Sequence, residues 1–164
     1  MLFLGIDPGL QRTGYALVAA GAHALELRLV EAGLFRFKSA DTVQFRLAQL
    51  SEDLGSILDE HKPDGAGVED LFSHYAHPRT AILMGHARGV VLLELEKRKI
   101  PTVAFAPKEV KMAICGSGGA GKAQVQRAVQ AQFKLASLPE PPDIADAIAI
   151  AATAARRHAM AGRR

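Results

Sequence analysis

Hydrophobic and polar positions change period along the chain, and each change marks an element. Residues 1–7 (Met-Leu-Phe-Leu-Gly-Ile-Asp) form a short apolar run, the pattern of a strand buried on both faces, and Pro8-Gly9 ends it with a turn. Residues 13–18 and 27–37 read as two further strands, with Gly33 marking a bulge. Their short connections predict an antiparallel meander. From 41 to 61 the period becomes helical. Val43, Leu47, Leu50, Leu54, Ile57 and Leu58 share a face, with Asp41 as the cap and Gln44 three residues on. Residues 66–70 form a fourth strand, 78–98 a second helix, 100–105 a fifth strand and 107–114 a third helix. A glycine-rich loop at 116–121 leads into a helix at 122–133. The last helix runs through the alanine-rich stretch 142–160, leaving 161–164 as a frayed basic end to one domain of residues 1–160.

Three antiparallel strands followed by strands alternating with helices define an α/β fold: a mixed five-stranded sheet flanked by helices. The order βββαβαβα is that of the ribonuclease H-like fold, in which the first and fourth strands are neighbours. That adjacency would bring Asp7 and Glu69 together.

Carboxylates stand where such a sheet opens. Asp7 ends the first strand, and Glu69-Asp70 end the fourth. Alternation sends Glu69 and Asp70 to opposite faces, so only one of them faces Asp7. Asp143 and Asp146, three apart, share a face of the last helix's first turns, ahead of the small apolar run Ala147-Ile148-Ala149-Ile150-Ala151-Ala152. Each acid has a plainer use, since Asp caps turns and acids in a first turn complement the helix dipole. Gathered, the four would make an all-oxygen donor set suited to a hard cation such as Mg²⁺. Two such ions about 3.5–4 Å apart support in-line phosphoryl displacement.

Composition narrows the classes. The chain has 164 residues, 49% of them hydrophobic, with 20 Lys+Arg against 17 Asp+Glu for a net +3. That balance is compatible with nucleic acid without requiring it. The single Cys115 forms no intramolecular disulfide. With no secretory leader and no stretch long enough for a bilayer, a cytoplasmic protein without membrane partners is expected. Basic residues cluster in the second half, at Arg79, Arg88, Lys97, Arg98, Lys108, Lys111, Lys122 and Arg127. Those near the glycine loop are placed for phosphates, whereas Arg156 and Arg157 complement the last helix's negative pole. The loop and Lys122 match most of a phosphate-binding Walker A motif. However, Ala123 replaces its Ser or Thr and the loop follows a helix, which argues against an ATPase.

Six blocks carry a family resemblance: Gly5-Ile6-Asp7-Pro8-Gly9 with Thr13-Gly14-Tyr15; Glu69 with Phe72; Gly85-x-Ala87-Arg88-Gly89; Pro107-x-x-Val110-Lys111; Gly116-x-Gly118-x-Ala120-x-Lys122; and Asp143-x-x-Asp146-Ala147. Over nearly its whole length the chain resembles the RuvC family of Holliday-junction resolvases. The resemblance implies a homodimeric, Mg²⁺-dependent endonuclease, with two ions per site and Mn²⁺ as a substitute. It would nick two like-polarity strands of four-way DNA symmetrically, leaving 5′-phosphate and 3′-hydroxyl ends, and would work with a branch-migration helicase. By position, Asp7, Glu69, Asp143 and Asp146 would bind the metal and catalyse, together with Lys122. Lys111, Lys122, Lys108 and Arg79 would face DNA. Phe72 would stack on a base at the opened crossover; the alternative is a core aromatic at a strand end. Gly85 and Gly89 on the second helix would let a dimer partner approach closely, unless they only seat that helix on its own sheet. Asp70 departs from the neutral amide common in the family, and 73–78 (Ser-His-Tyr-Ala-His-Pro) lacks its asparagine. A non-catalytic junction-binding module and a related nuclease of structured RNA are the competing classes.

Overall fold

The computed structural model describes residues 1–21, 26–71 and 78–161. Its strands are β1 (Leu2–Asp7), β2 (Arg12–Ala20), β3 (Leu27–Arg36), β4 (Gly65–Glu69) and β5 (Thr102–Phe105). Its helices are α1 (Val43–His61), α2 (Pro78–Lys97), α3 (Pro107–Cys115), α4 (Lys122–Phe133) and α5 (Pro142–Ala161). The strands lie in the order β3-β2-β1-β4-β5. The first three form the expected antiparallel meander, and β4 and β5 add in parallel beside β1.

Alternation along the central strands sorts the core into two layers. Leu4 and Ile6 of β1 and Ala66 and Val68 of β4 pack with Leu50, Leu54 and Leu58 of α1 and Val91 and Leu95 of α2. Phe3, Ala16, Val18 and Phe105 face the other way, against α5 with α3 and α4. The α1–α2 layer is tied at its rim by Glu94, which accepts from Ser51 at 2.7 Å, Arg98 at 2.6 Å and Lys97 at 2.8 Å. Burial opposes its charge, but bonds from Lys97, Ser51 and Arg98 hold its carboxyl down at about 2. Arg98 also forks onto Asp59 at 2.6 and 2.9 Å.

Three local expectations change. The cap of α1 is Thr42, whose hydroxyl accepts from the Phe45 amide at 3.3 Å, so Asp41 lies one residue outside. The bulge in β3 is at Val30: Leu17 pairs with Glu31 and Val18 with Leu29, leaving Val30 without an opposite residue. Gly33 pairs regularly with Tyr15, and a side chain there would collide with that ring, 2.8 Å from its hydroxyl. Arg156 and Arg157 reach α3 instead of their own helix end. Arg156 donates to the Ala113 carbonyl at 3.2 Å, and Arg157 pairs with Glu109 at 3.3 Å while lying over the Phe105 ring.

Candidate active site

The alternation that builds the core also sets the direction of the acids. Phe3 and Gly5 face α5, so Asp7 two residues on faces it as well; Gly67 and Glu69 of β4 follow the same rule. Ile6 pairs with Val68, which sets Asp7 beside Glu69 at the C-terminal ends of two parallel strands. Asp70 turns to the opposite face, where Arg88 of α2 meets its carboxylate at 3.1 Å and the Leu71 amide donates to it at 3.0 Å. Arg88 Nε also donates to the Glu69 carbonyl at 3.2 Å, fixing the strand end that carries the acid.

The other two acids arrive on α5, and missing side chains bring them close. A Cβ on Gly5 would overlap the Ala147 carbonyl and the Ala151 amide, and one on Gly14 would overlap the Asp143 carbonyl. With alanines from Ala145 to Ala155 filling the buried face, α5 lies almost directly on β1 and β2. Its first turns therefore end at the sheet edge where Asp7 and Glu69 stand.

These four carboxylates line one cleft of about 350 Å³, together with Lys111 of α3, Lys122 of α4 and Arg12 of β2. Lys122 is the first residue of α4, after a loop in which Gly116 takes a left-handed φ of 71° to close α3 and the Gly121 amide donates to Gln124 Oε1 at 2.7 Å. Electrostatics within the cleft are tense. Asp7 is pushed up to about 8 by burial and by the charges of Glu69, Asp146 and Asp143, with Lys122 pulling it down. Glu69 rises to about 7, chiefly through burial and then Asp146, against Lys111 and Lys122. Burial also raises Asp146.

The four carboxylates outnumber the three cations described on the cleft, and their oxygen-only chemistry suits Mg²⁺. Among the described residues, the cleft is lined by no histidine or cysteine. Among the described residues, no three potential ligands close around an ion as they are oriented. Mg²⁺ in general keeps several waters and takes further oxygens from a bound phosphate.

Other expected residues fall elsewhere. Lys108 is exposed on α3 and Arg79 is exposed at the start of α2, neither on the wall of the cleft. Phe72 and the segment 73–77 lie outside the described residues. Gly85 and Gly89 do not seat α2 on the sheet: a side chain at Gly89 would meet no described atom within 4 Å, and one at Gly85 only Leu71, at 3.9 Å. Arg12 was not expected on the cleft. Its signal was its place at the start of the strand that follows the Asp7 turn.

The comparisons decide the family. The profile of one family, Crossover junction endodeoxyribonuclease RuvC, matches residues 3–154. A protein of that description from Rhodopirellula baltica is 46% identical over 147 residues, covering 90% of this chain and 82% of its own. The chain belongs to the RuvC family. A structure of T. thermophilus RuvC in complex with Holliday junction substrate superposes with a TM-score of 0.90 at 31% identity, covering 98% of this chain and 96% of that one. The yeast mitochondrial Holliday junction resolvase Ydc2, at 18% identity and a TM-score of 0.70 over 98% of this chain and 80% of its own, shares the fold. The architecture of this RuvC-family chain is therefore the ribonuclease H-like one expected from element order.

Proposed function

We propose that this chain is a Mg²⁺-dependent endonuclease that resolves four-way DNA junctions by paired, symmetric nicks, leaving 5′-phosphate and 3′-hydroxyl ends. The observation that carries the reading is the convergence of Asp7, Glu69, Asp143 and Asp146, from three separate elements, on one cleft with Lys111 and Lys122. Membership of the RuvC family supports it.

Asp7, Glu69, Asp143 and Asp146 would hold two Mg²⁺ ions, with Mn²⁺ as a substitute. When bound, the ions supply an activated water and stabilise the leaving oxygen. The acids must be deprotonated for this role, and bound cations offset the burial and the mutual repulsion that raise Asp7 and Glu69. Lys122 is the residue for the negative charge that grows on the scissile phosphate, because it is fixed at a helix start and already faces the acids. Lys111, which lines the same cleft, holds the phosphate beside it. Lys108 and Arg79, exposed and in no ion pair among the described residues, are phosphate contacts farther along the DNA arms. Phe72, just beyond Leu71, is assigned to stacking on an unpaired base.

Two symmetric cuts need two clefts, which a twofold homodimer supplies. The outer face of α2 is suited to that axis: Ile82 and Leu93 are 60% and 53% exposed, and Gly85 and Gly89 between them present no bulk. A branch-migration helicase is the further partner that family membership suggests.

The test offers four-way DNA, plain duplex and structured RNA with Mg²⁺. Paired nicks confined to the four-way DNA are expected. Preferential cutting of RNA would transfer the chain to the related RNA nucleases, and binding without cutting would make it a junction-binding module.

A further inference from the structure

A buried arginine lies beside the cleft, and among the described residues no acid forms an ion pair with it. Arg46 is on the first turn of α1, on the inward face with Leu50 and Leu54, and is only 7% exposed. Among the described residues its side chain's one hydrogen bond is from Nη1 to the Leu10 carbonyl at 3.3 Å, its Nε has no acceptor, and no carboxylate forms an ion pair with it. A guanidinium withdrawn from water is strongly disfavoured unless an anion or several acceptors meet it. Arg46 forms part of the wall of a second cavity, of about 390 Å³. That cavity shares Gly9, Arg12, Met84 and Asp143 with the catalytic cleft, so the two adjoin.

We propose that this second cavity binds a non-scissile phosphate of the strand being cut, held by Arg46 and Arg12. The inference rests on the nuclease reading above and deepens it. Two guanidinium groups against the one carboxylate of Asp143 leave the cavity positive, and the planar fork of arginine matches phosphate oxygens. The turn from Asp7 through Gly9 leads directly from the acids to this cavity, so a phosphate held here neighbours the one over the acids. The turn is rigid: buried Thr13 donates to the Gly9 carbonyl at 2.6 Å and accepts from the Gly9 amide at 3.2 Å. Arg46 also braces its next residue, Leu10. An anchor on that wall sets the register of the strand and hence which phosphate is cut.

The competing role for Arg46 is bracing alone, and a neutral-phosphate series separates the two. Junctions carrying a single methylphosphonate at each position flanking the scissile phosphate are nicked by the wild type, Arg46→Gln and Arg12→Gln. One flanking position should slow the wild type about tenfold, the scale of a lost charge-assisted hydrogen bond. The same modification should cost either variant clearly less than it costs the wild type, because part of the contact is already gone. Arg12 is exposed, so its variant reports even if Arg46→Gln folds poorly. Penalties that multiply in Arg12→Gln, or a wild type insensitive at every flanking position, would overturn the pocket while leaving the nuclease reading intact. If inorganic phosphate protects the wild type against heat but no flanking position is sensitive, the cavity takes a free anion and the DNA assignment falls. A wild type that leaves the unmodified junction uncut removes the nuclease reading and the pocket's role with it.

Discussion

The carboxyl most perturbed by the cleft is that of Asp7. It is buried among three other acids and rises to about 8, above its ordinary value of 3.8. The sign of the resulting pH dependence follows from proton counts. Between those two values the folded chain holds a proton that the unfolded chain has released, so stability falls as pH rises through that window. Without divalent metal, the melting temperature should therefore decline from about pH 5 to pH 8, each kcal/mol being worth about 2–4 °C in a chain of this size. Asp7→Asn should flatten the decline, and Mg²⁺ should raise the wild-type melting temperature more at pH 8 than at pH 5. A metal-free melting curve independent of pH, identical in Asp7→Asn, would mean that the four acids do not strain the fold.

Among the elements, α5 is the one whose position decides whether a site exists, and Gly14 is where that position is most exposed to test. A Cβ there overlaps the Asp143 carbonyl, which is rigid backbone. Gly14→Ala should cost about 1–3 kcal/mol. It should also slow nicking, although every acid is retained; unchanged melting and nicking would mean that α5 tolerates displacement. Element types were legible because the periods are clean: the apolar run of β1, the helical face of α1 and the small-residue run of α5 each allow one reading. Alternation states that Glu69 and Asp70 differ without saying which faces inward; the resemblance pointed to Glu69, and the register of β4 beside β1 gives the physical reason. Arg46 was visible as a basic residue on an otherwise apolar helical face with Val43, Leu47, Leu50 and Leu54, but nothing local reveals that it lacks a partner. The ends of Arg156 and Arg157 were not readable for a related reason. Both contacts are made to α3, more than forty residues away. The bulge at Val30 depends on pairing across strands, so Gly33 was a misleading cue.

At the scale of the whole molecule, the sheet carries an acidic edge and an outer helix with exposed apolar residues. Gly85→Leu with Gly89→Leu should leave the monomer folded, since added side chains there meet open space or, at Gly85, an ordinary contact with Leu71. Sedimentation should then show loss of the dimer, with paired cuts giving way to slow single nicks. An unchanged dimer would move the twofold axis off α2. The central claim is that acids from β1, β4 and α5 act as one metal centre, and it is tested most directly by cleavage of four-way DNA in Mg²⁺. Wild type is compared with Asp7→Asn, Glu69→Gln, Asp143→Asn and Asp146→Asn, and junction affinity is measured separately in chelator. Each substitution should slow nicking by about a hundredfold or more, the scale for losing one group of a preorganised charged site. Affinity should stay near wild type, because phosphate contacts supply most of it. Any one of the four variants cutting at the wild-type rate at the same Mg²⁺ concentration would contradict the account.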